Sequence, residues 1–125
     1  MRTKQIDIAG GRYWIAYSEG VKMTMRDVFG VDCDDQESFV AAMKNTRKRL
    51  GLVHSCMLYG ARWAKLTGED AQDPPEFEDF AALVDQFDIL NVFPDIKEVM
   101  TGDRNVVAKP AKKTRAGASA SNPAK

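Results

Sequence analysis

The stretch that decides the fold is residues 50–66, which read LGLVHSCMLYGARWAKL. Two sets of apolar residues recur there in steps of three and four, the spacing that places side chains on one side of an α-helix. These sets are Leu50, Val53, Met57, Ala61 and Ala64, and Leu52, Cys56, Tyr59, Trp63 and Leu66. They leave a narrow polar strip of Gly51, Ser55, Arg62 and Lys65. A helix that is apolar over more than half of its circumference must be covered from more than one side, so we expect the neighbouring segments to pack on it.

The length and composition of the chain limit the class of protein. A chain of 125 residues is most simply one domain, and its hydrophobic share of 44% and charged share of 29% are ordinary for a soluble globular protein. No apolar run has the length of a transmembrane helix, and residues 1–5 lead into a strand-like stretch rather than an apolar signal sequence. We therefore expect no association with a membrane.

The formal charge of zero hides an asymmetry along the chain. All 18 acids lie between Asp7 and Asp103, whereas residues 104–125 carry six bases and no acid. The first 103 residues are therefore net −6 and the tail is +6. Because no large apolar residue follows Val107, we expect the tail to be disordered. An acidic body with a basic tail can associate with itself, or the tail can bind an acidic partner.

Residues 5–17 have the alternating pattern of a β-hairpin, with Gly10-Gly11 as the predicted turn. The face that should pack on the helices carries Tyr13, Ile15 and Tyr17. Trp14 lies on the opposite face, where it is either a rim contact within the fold or an anchor for a binding partner. A two-stranded hairpin is not stable alone, so it must pack on the helices or pair with another copy.

Helical patterns follow the hairpin, over residues 21–29, 36–66, 75–87 and 89–100. In the first, the inner side should carry Val21, Met25 and Val28, and Gly30 should end the helix. Asp34 with Glu37 fits the capping box of the second helix. Asn45-Thr46 and Gly51 have weak helix propensity, so a kink or break is expected near Gly51.

The two C-terminal helices carry most of the phenylalanines. We expect an inward stripe of Phe77, Phe80, Ala81, Val84 and Phe87 in the helix over residues 75–87, with Asp73 as its N-cap. Asp88 should cap the last helix, whose recurring residues include Leu90 and Phe93, and in which Pro94 falls in the first turns. Thr101-Gly102-Asp103 should end the ordered domain.

The sequence therefore predicts an α+β fold, an N-terminal β-hairpin packed on a small bundle of three to five α-helices. A single domain over residues 1–103 precedes a disordered basic tail over residues 104–125.

No pattern of residues in the chain indicates a catalytic or cofactor site. Phosphate-binding glycine loops, nucleophile elbows, zinc-protease motifs and paired CxxC are all missing. Cys33 and Cys56 with one histidine make a poor metal set, so we expect free thiols, no cofactor and no metal. His54 is expected at the rim of the core. The acids Glu76, Glu78 and Asp79 suit a helix N-terminus better than acid–base catalysis, and we expect no enzyme.

A basic cluster at Lys44, Arg47, Lys48 and Arg49 raises the question of nucleic-acid binding. No aromatic residues are interleaved with it, and the surrounding domain is acidic, so a solvated helix face is the better interpretation.

Several motifs together resemble the tail assembly chaperones of long-tailed bacteriophages. Residues 6–17 (IDIAGGRYWIAY) look like that family's I-x-I-x-G-(K/R)-x-Y opening, and residues 58–63 (LYGARW) look like its L-L-Y-A-G-L helix. Residues 28–30 (VFG) and 80–85 (FAALVD) also fit, and the match spans about residues 5–102.

The resemblance implies a non-enzymatic protein of the host cell cytoplasm that is not in the mature virion. Its implied partners are the tape measure protein, whose long apolar helices it binds, and the tail tube protein, which it helps recruit. Covering such helices requires exposed apolar surface, for which Trp14, Phe87 and Phe93 are the candidates. For the two phenylalanines core packing is the alternative role.

Two other functions stay open at this point. The first is a structural minor virion or connector protein that remains in the assembled particle. The second is a small nucleic-acid-binding regulator that uses the basic run and tail, for which binding would weaken steeply with salt.

Overall fold

The structure is a computed structural model that describes residues 1–108, with side chains described as far as Gly102. Its elements are β1 (Thr3–Ile8), β2 (Gly11–Ala16), α1 (Glu19–Phe29), α2 (Gln36–Ala42), α3 (Thr46–Leu66), α4 (Phe77–Leu83) and α5 (Gln86–Ala108). The predicted α+β class is confirmed, since an N-terminal hairpin packs on helices that number five in the described part of the chain. The predicted disordered tail lies outside the described residues from residue 109 onward, and residues 104–108 continue α5.

The hairpin is antiparallel, with Ile6 opposite Tyr13 and Ile8 opposite Gly11. Its two-residue turn is Ala9-Gly10, at φ 54° and 77°, so the predicted Gly10-Gly11 turn is wrong by one residue. Two positive φ angles are typical of the type I′ turn, whose twist matches that of the flanking strands. Gly11 is instead the first residue of β2.

The inward face of the hairpin is the predicted one. The buried residues of the two strands are Ile6, Ile8, Tyr13, Ile15 and Ala16. Strand β2 lies mainly against α3, whereas β1 lies against α5. The β1–α5 contact is antiparallel: Lys4 pairs with Asp95 and with Glu98 at 3.0 Å, and Arg2 pairs with Glu98 at 3.0 Å. Hydrogen bonds to Asp95 and Glu98 raise the pKa of Lys4.

Helix α3 is surrounded by the rest of the fold, as the two apolar stripes predict. Residues 51–57 are buried without a break, including Gly51 and Ser55, which the sequence pattern placed on a polar strip. The Ser55 hydroxyl donates to the Met25 sulfur at 4.0 Å. Leu66, in contrast, is 87% exposed, because it lies at the helix end beyond its covers.

The break in the long predicted helix lies at residues 43–45, not near Gly51. The Asn45 side chain accepts the Lys48 N–H at 3.0 Å and starts α3. Gly51 lies within a continuous helix, where an added Cβ would be 2.6 Å from the Phe29 ring. Close packing, rather than a break, therefore accounts for this glycine.

The first two helices differ from prediction at single positions. Val28 is exposed, so the inner side of α1 is Val21 and Met25 alone. Gly30 ends α1 as predicted, in the left-handed region at φ 70°. Asp35, rather than Asp34, caps α2 by accepting the Glu37 N–H at 3.1 Å.

The C-terminal helices divide at a different place. Helix α4 ends at Leu83, and Val84 is extended, so Phe87 belongs to α5. Asp85 and Asp88 each accept the other's backbone N–H at 2.9 Å. This reciprocal pair is a capping box in which Asp85 is the N-cap, so the prediction of Asp88 as cap is wrong.

The other C-terminal corrections follow from contacts within the fold. Asp73 does not cap α4, which has Glu76 at its N-cap, but pairs with Lys65 instead. Helix α5 passes through Gly102, which packs against Arg2, and continues to Ala108. Pro94 is consequently well inside α5, not in its first turns.

Gly60 permits a close approach between α3 and the backbone of β2. A Cβ at this position would be 2.2 Å from the Trp14 carbonyl oxygen. Although glycine in an open helix is about 1 kcal/mol worse than alanine, we expect Gly60→Ala to lower the free energy of unfolding by about 1–3 kcal/mol. Gly51→Ala should cost less, because its obstacle is the half-buried Phe29 ring, which can shift. Urea unfolding of both variants measures the difference; a Gly60→Ala protein as stable as wild type would contradict this packing.

Ala9 occupies a position that suits asparagine better. Its φ of 54° is costly for alanine, and Asn-Gly is a preferred pair for this turn. We expect Ala9→Asn to raise the free energy of unfolding by about 0.5–1 kcal/mol. Thermal unfolding measures it, with Ala82→Asn, on the exposed side of α4, as a control that should not stabilise.

Candidate partner-binding surface

Helix α5 has apolar residues on two opposite sides. One side carries the core residues Ile89, Val92, Ile96 and Val99. The other carries Phe87, Leu90 and Pro94, spaced by three and four, and we call these three residues the exposed α5 face. Phe87 is 67% exposed and Leu90 is 60% exposed. Large apolar side chains grouped in this way are typical of an interaction surface rather than of scattered surface residues.

The start of α5 fixes the position of this face. Phe87 lies between Asp85 and Asp88 in the sequence, and the capping box that these two residues form stabilises the first turn of the helix. Leu83, also exposed, is the last residue of α4, four residues before Phe87. Pro94 has no N–H, so it cannot bond the Leu90 carbonyl in the helical pattern. The face therefore combines apolar side chains with one backbone oxygen that lacks its usual helical partner.

The three residues predicted to bind a partner occupy different environments. Trp14 is half-buried: its ring centroid is 5.3 Å from that of Trp63, and its Nε1 donates to the Asp70 carbonyl at 3.1 Å. Trp14 therefore connects β2 to the loop after α3, which is a contact within the fold. Phe93 is half-buried at the edge of the core, with the Lys97 ammonium 6.0 Å from its ring.

Phe87 differs from both. Its spacing from Phe80 predicted a place in the core, but its side chain is largely exposed. Phe87 and Phe93 share α5, whereas Trp14 lies on β2 against α3. Among the described residues no ring contact joins Trp14 to either phenylalanine. Of the three candidates, Phe87 alone is largely available to a partner.

The stretch of chain that contains the exposed α5 face carries acids and no base. Between Lys65 and Lys97 there are nine acids and no base. Three of the acids are paired: Asp73 with Lys65, Glu78 with Arg47 and Asp95 with Lys4. Six have no cationic partner among the described side chains, namely Glu69, Asp70, Glu76, Asp79, Asp85 and Asp88. The net charges of residues 1–103 and 104–125 do not reveal this acidic stretch, although it can be read from the sequence.

A shallow cleft adjoins the first turn of α5. Its volume is about 540 Å³, and it lies between the hairpin turn and Asp88. Asp7 and Arg12 also line it, with 3.6 Å between the Arg12 Nε and an Asp7 carboxylate oxygen. Both of these side chains are mostly exposed, so their pairing is weak and can be exchanged for another.

His54 is buried, not at the rim as predicted, and is 6% exposed. Its Nε2 donates to the Pro75 carbonyl at 2.6 Å. Its ring centroid lies 5.7 Å from that of Phe77 and 5.5 Å from that of Phe80. This imidazole joins the loop before α4 to the central helix, so its ring is used in the fold.

The two cysteines are free and lie in environments that disfavour the thiolate. Burial raises the pKa of Cys56, and burial also raises the pKa of Cys33. Burial and the neighbouring Cys33 raise the pKa of Tyr17. A protonated thiol is a poor nucleophile and a poor metal ligand. Among the side chains of residues 1–102, no three His, Cys, Asp or Glu are grouped so that they could hold a metal ion.

Half of the basic cluster is used inside the fold. The Arg47 guanidinium lies 4.9 Å from the centroid of the Phe77 ring and 3.3 Å from a Glu78 carboxylate oxygen. Arg49 donates to the Met43 carbonyl at 2.9 Å. Lys44 and Lys48 are left without such contacts, which is too few for an extended phosphate-binding surface.

Comparison with protein-family models, with curated proteins and with solved structures gives no match to this chain. In the described part of the chain, no helix combines the length and apolar character needed to cross a bilayer.

The His54 hydrogen bond gives a test of its structural role. His54→Leu keeps apolar bulk but leaves the Pro75 carbonyl without its donor, so we expect the free energy of unfolding to fall by about 1–3 kcal/mol. His54→Gln places an amide N–H near the position of Nε2 and should recover part of the loss. Urea unfolding of the two variants measures this; equal stability of the leucine variant and wild type would contradict the assignment.

Proposed function

We propose that this protein is a non-enzymatic assembly chaperone of the phage tail type. In this proposal it acts in the host cell cytoplasm, binds apolar helices of the tape measure protein and helps recruit tail tube subunits. The observation that carries the proposal is the exposed α5 face, where Phe87 and Leu90 are largely in solvent on a helix whose other side forms the core. The resemblance of residues 5–102 to the tail assembly chaperones supplies the identity of the partners.

The physical basis of the proposal is the burial of apolar surface. Each large apolar side chain that becomes buried contributes about 1.5–3 kcal/mol of transfer free energy, and the costs of association subtract from that total. A face of three residues therefore gives weak, reversible binding. Such binding suits a chaperone that holds a long helical chain at many points and later releases it, because several weak sites on one chain act together.

The arrangement of the fold also suits this role. The exposed α5 face belongs to a helix that forms ion pairs with β1 and the residue before it. Lys4 pairs with Asp95 and Glu98, and Arg2 pairs with Glu98. The face is therefore presented on a fixed element rather than on a loop, which limits the ordering cost on binding. Docking of a partner helix against a helix face is a recurring mode of peptide recognition.

Co-expression with a tape measure protein tests the proposal. Wild-type chain should keep the tape measure protein in the soluble fraction, and the double variant Phe87→Ser with Leu90→Ser should lower that fraction several-fold. Leu66→Ser is the matched control, because it removes an even more exposed apolar side chain at the end of α3. Circular dichroism must show that all three proteins fold.

Two results would contradict the proposal. Aggregation of the tape measure protein despite wild-type chain would remove the chaperone function. Recovery of this chain in fixed copy number from purified particles would favour the structural virion component instead. The gene order is an independent check, with a tail tube gene upstream and a long tape measure gene downstream expected.

A further inference from the structure

We propose that the segment that docks on the exposed α5 face is a cationic amphipathic helix. Its apolar side chains would contact Phe87, Leu90 and Pro94, and its flanking Lys or Arg side chains would face Asp85 and Asp88. This inference rests on the proposed function and specifies the chemistry of the partner at the same surface.

Charge is the first argument. Asp88 follows Phe87 directly and Asp85 precedes it by two residues, and neither acid has a cationic partner among the described side chains. In each hydrogen bond of the capping box a single carboxylate oxygen accepts one N–H. Among the described residues, the second oxygen of each side chain has no hydrogen-bond donor. A partner ammonium or guanidinium can therefore bind both residues without disrupting the cap.

The longer-range field acts in the same direction. The face lies within a stretch of nine acids and no base. An anionic or neutral helix gains nothing from this potential, and an anionic one is repelled. Complementary charge of this kind raises the association rate and selects among partners that have similar apolar stripes.

The cleft beside Asp88 is the second argument. It is lined by Asp88, the residue after Phe87, and is open between the hairpin turn and α5. A Lys or Arg stem that leaves the partner helix can lie in it along Ile8 and the turn backbone. Its charged end would then lie near Asp7 and Asp88 and would replace the exposed Arg12 side chain as the partner of Asp7. Long basic side chains cover apolar surface with their methylene groups in this way.

Charge argues against a second copy as the occupant, and apolar content argues against the basic tail. A second copy would bring the same acidic face against this one, and the first 103 residues of each copy are net −6. The basic stretch 109–125 has the complementary charge but contains no large apolar residue to cover Phe87 and Leu90. A separate helix that carries both features fits the face better than either.

Two synthetic peptides test the inference on the full-length protein. Both have the same leucine stripe at helical spacing, and their flanking positions are either all Lys or all Glu. Fluorescence anisotropy at about 50 mM salt should show about tenfold tighter binding of the Lys peptide, and at about 500 mM salt the difference should largely disappear.

Variants locate the effect. Asp85→Asn with Asp88→Asn keeps side-chain acceptors for the cap, since Asn and Asp cap equally well, but removes two charges. This pair should lose most of the preference for the Lys peptide. Asp27→Asn with Glu37→Gln is the matched control, because it removes the same charge from exposed positions on α1 and α2. Phe87→Ser should weaken binding of both peptides.

The outcomes separate the two proposals. If neither peptide binds, the proposed function at this face is wrong. If both bind equally, or if the Asp85/Asp88 pair and the control pair behave alike, the cationic partner is wrong while the apolar docking stands. Undiminished binding of the Lys peptide to the Phe87→Ser protein would mean attraction to acidic surface alone and would overturn the inference.

Discussion

The contact between α3 and the hairpin at Gly60 is the constraint on which the structure depends. Without a side chain at that position, the backbone of β2 approaches the helix so closely that a single methyl group would be 2.2 Å from the Trp14 carbonyl oxygen. This approach puts Ile15 and Ala16 into the core and leaves the other sides of α3 to α1, α4 and α5. One helix buried on all sides over residues 51–57 thereby organises a small domain.

The same arrangement explains where polar groups lie. A helix that is enclosed must satisfy its own polar side chains within the protein, since buried groups without partners are costly. His54 meets this need through the Pro75 carbonyl and two phenylalanine rings. The His54 imidazole is thus used in packing, whereas the exposed apolar residues Phe87 and Leu90 lie beside acidic residues on α5.

Periodicity in the sequence predicted the fold class and the central helix, because the stripes of residues 50–66 extend over several turns. Periodicity failed where the position of a helix end depends on one or two residues. Nothing in the spacing of Phe77, Phe80 and Phe87 shows that Val84 is extended. The predicted apolar stripe therefore runs past the end of α4 and wrongly includes Phe87 in the core. The Asp85-x-x-Asp88 spacing was a readable signal for the true start of α5. Phe87 itself was among the residues predicted to bind a partner, whereas the acidic surroundings of the face were not recognised.

The pairing of β1 with α5 has a consequence for how the protein is made. Lys4 contacts Asp95 and Glu98, so the two ends of the domain hold each other in place. During translation the hairpin leaves the ribosome long before α5 exists, and contacts between distant parts of a chain form slowly. The domain therefore closes only after Asp95 and Glu98 have been synthesised, and until then β1 lacks its ion-pair partners on α5.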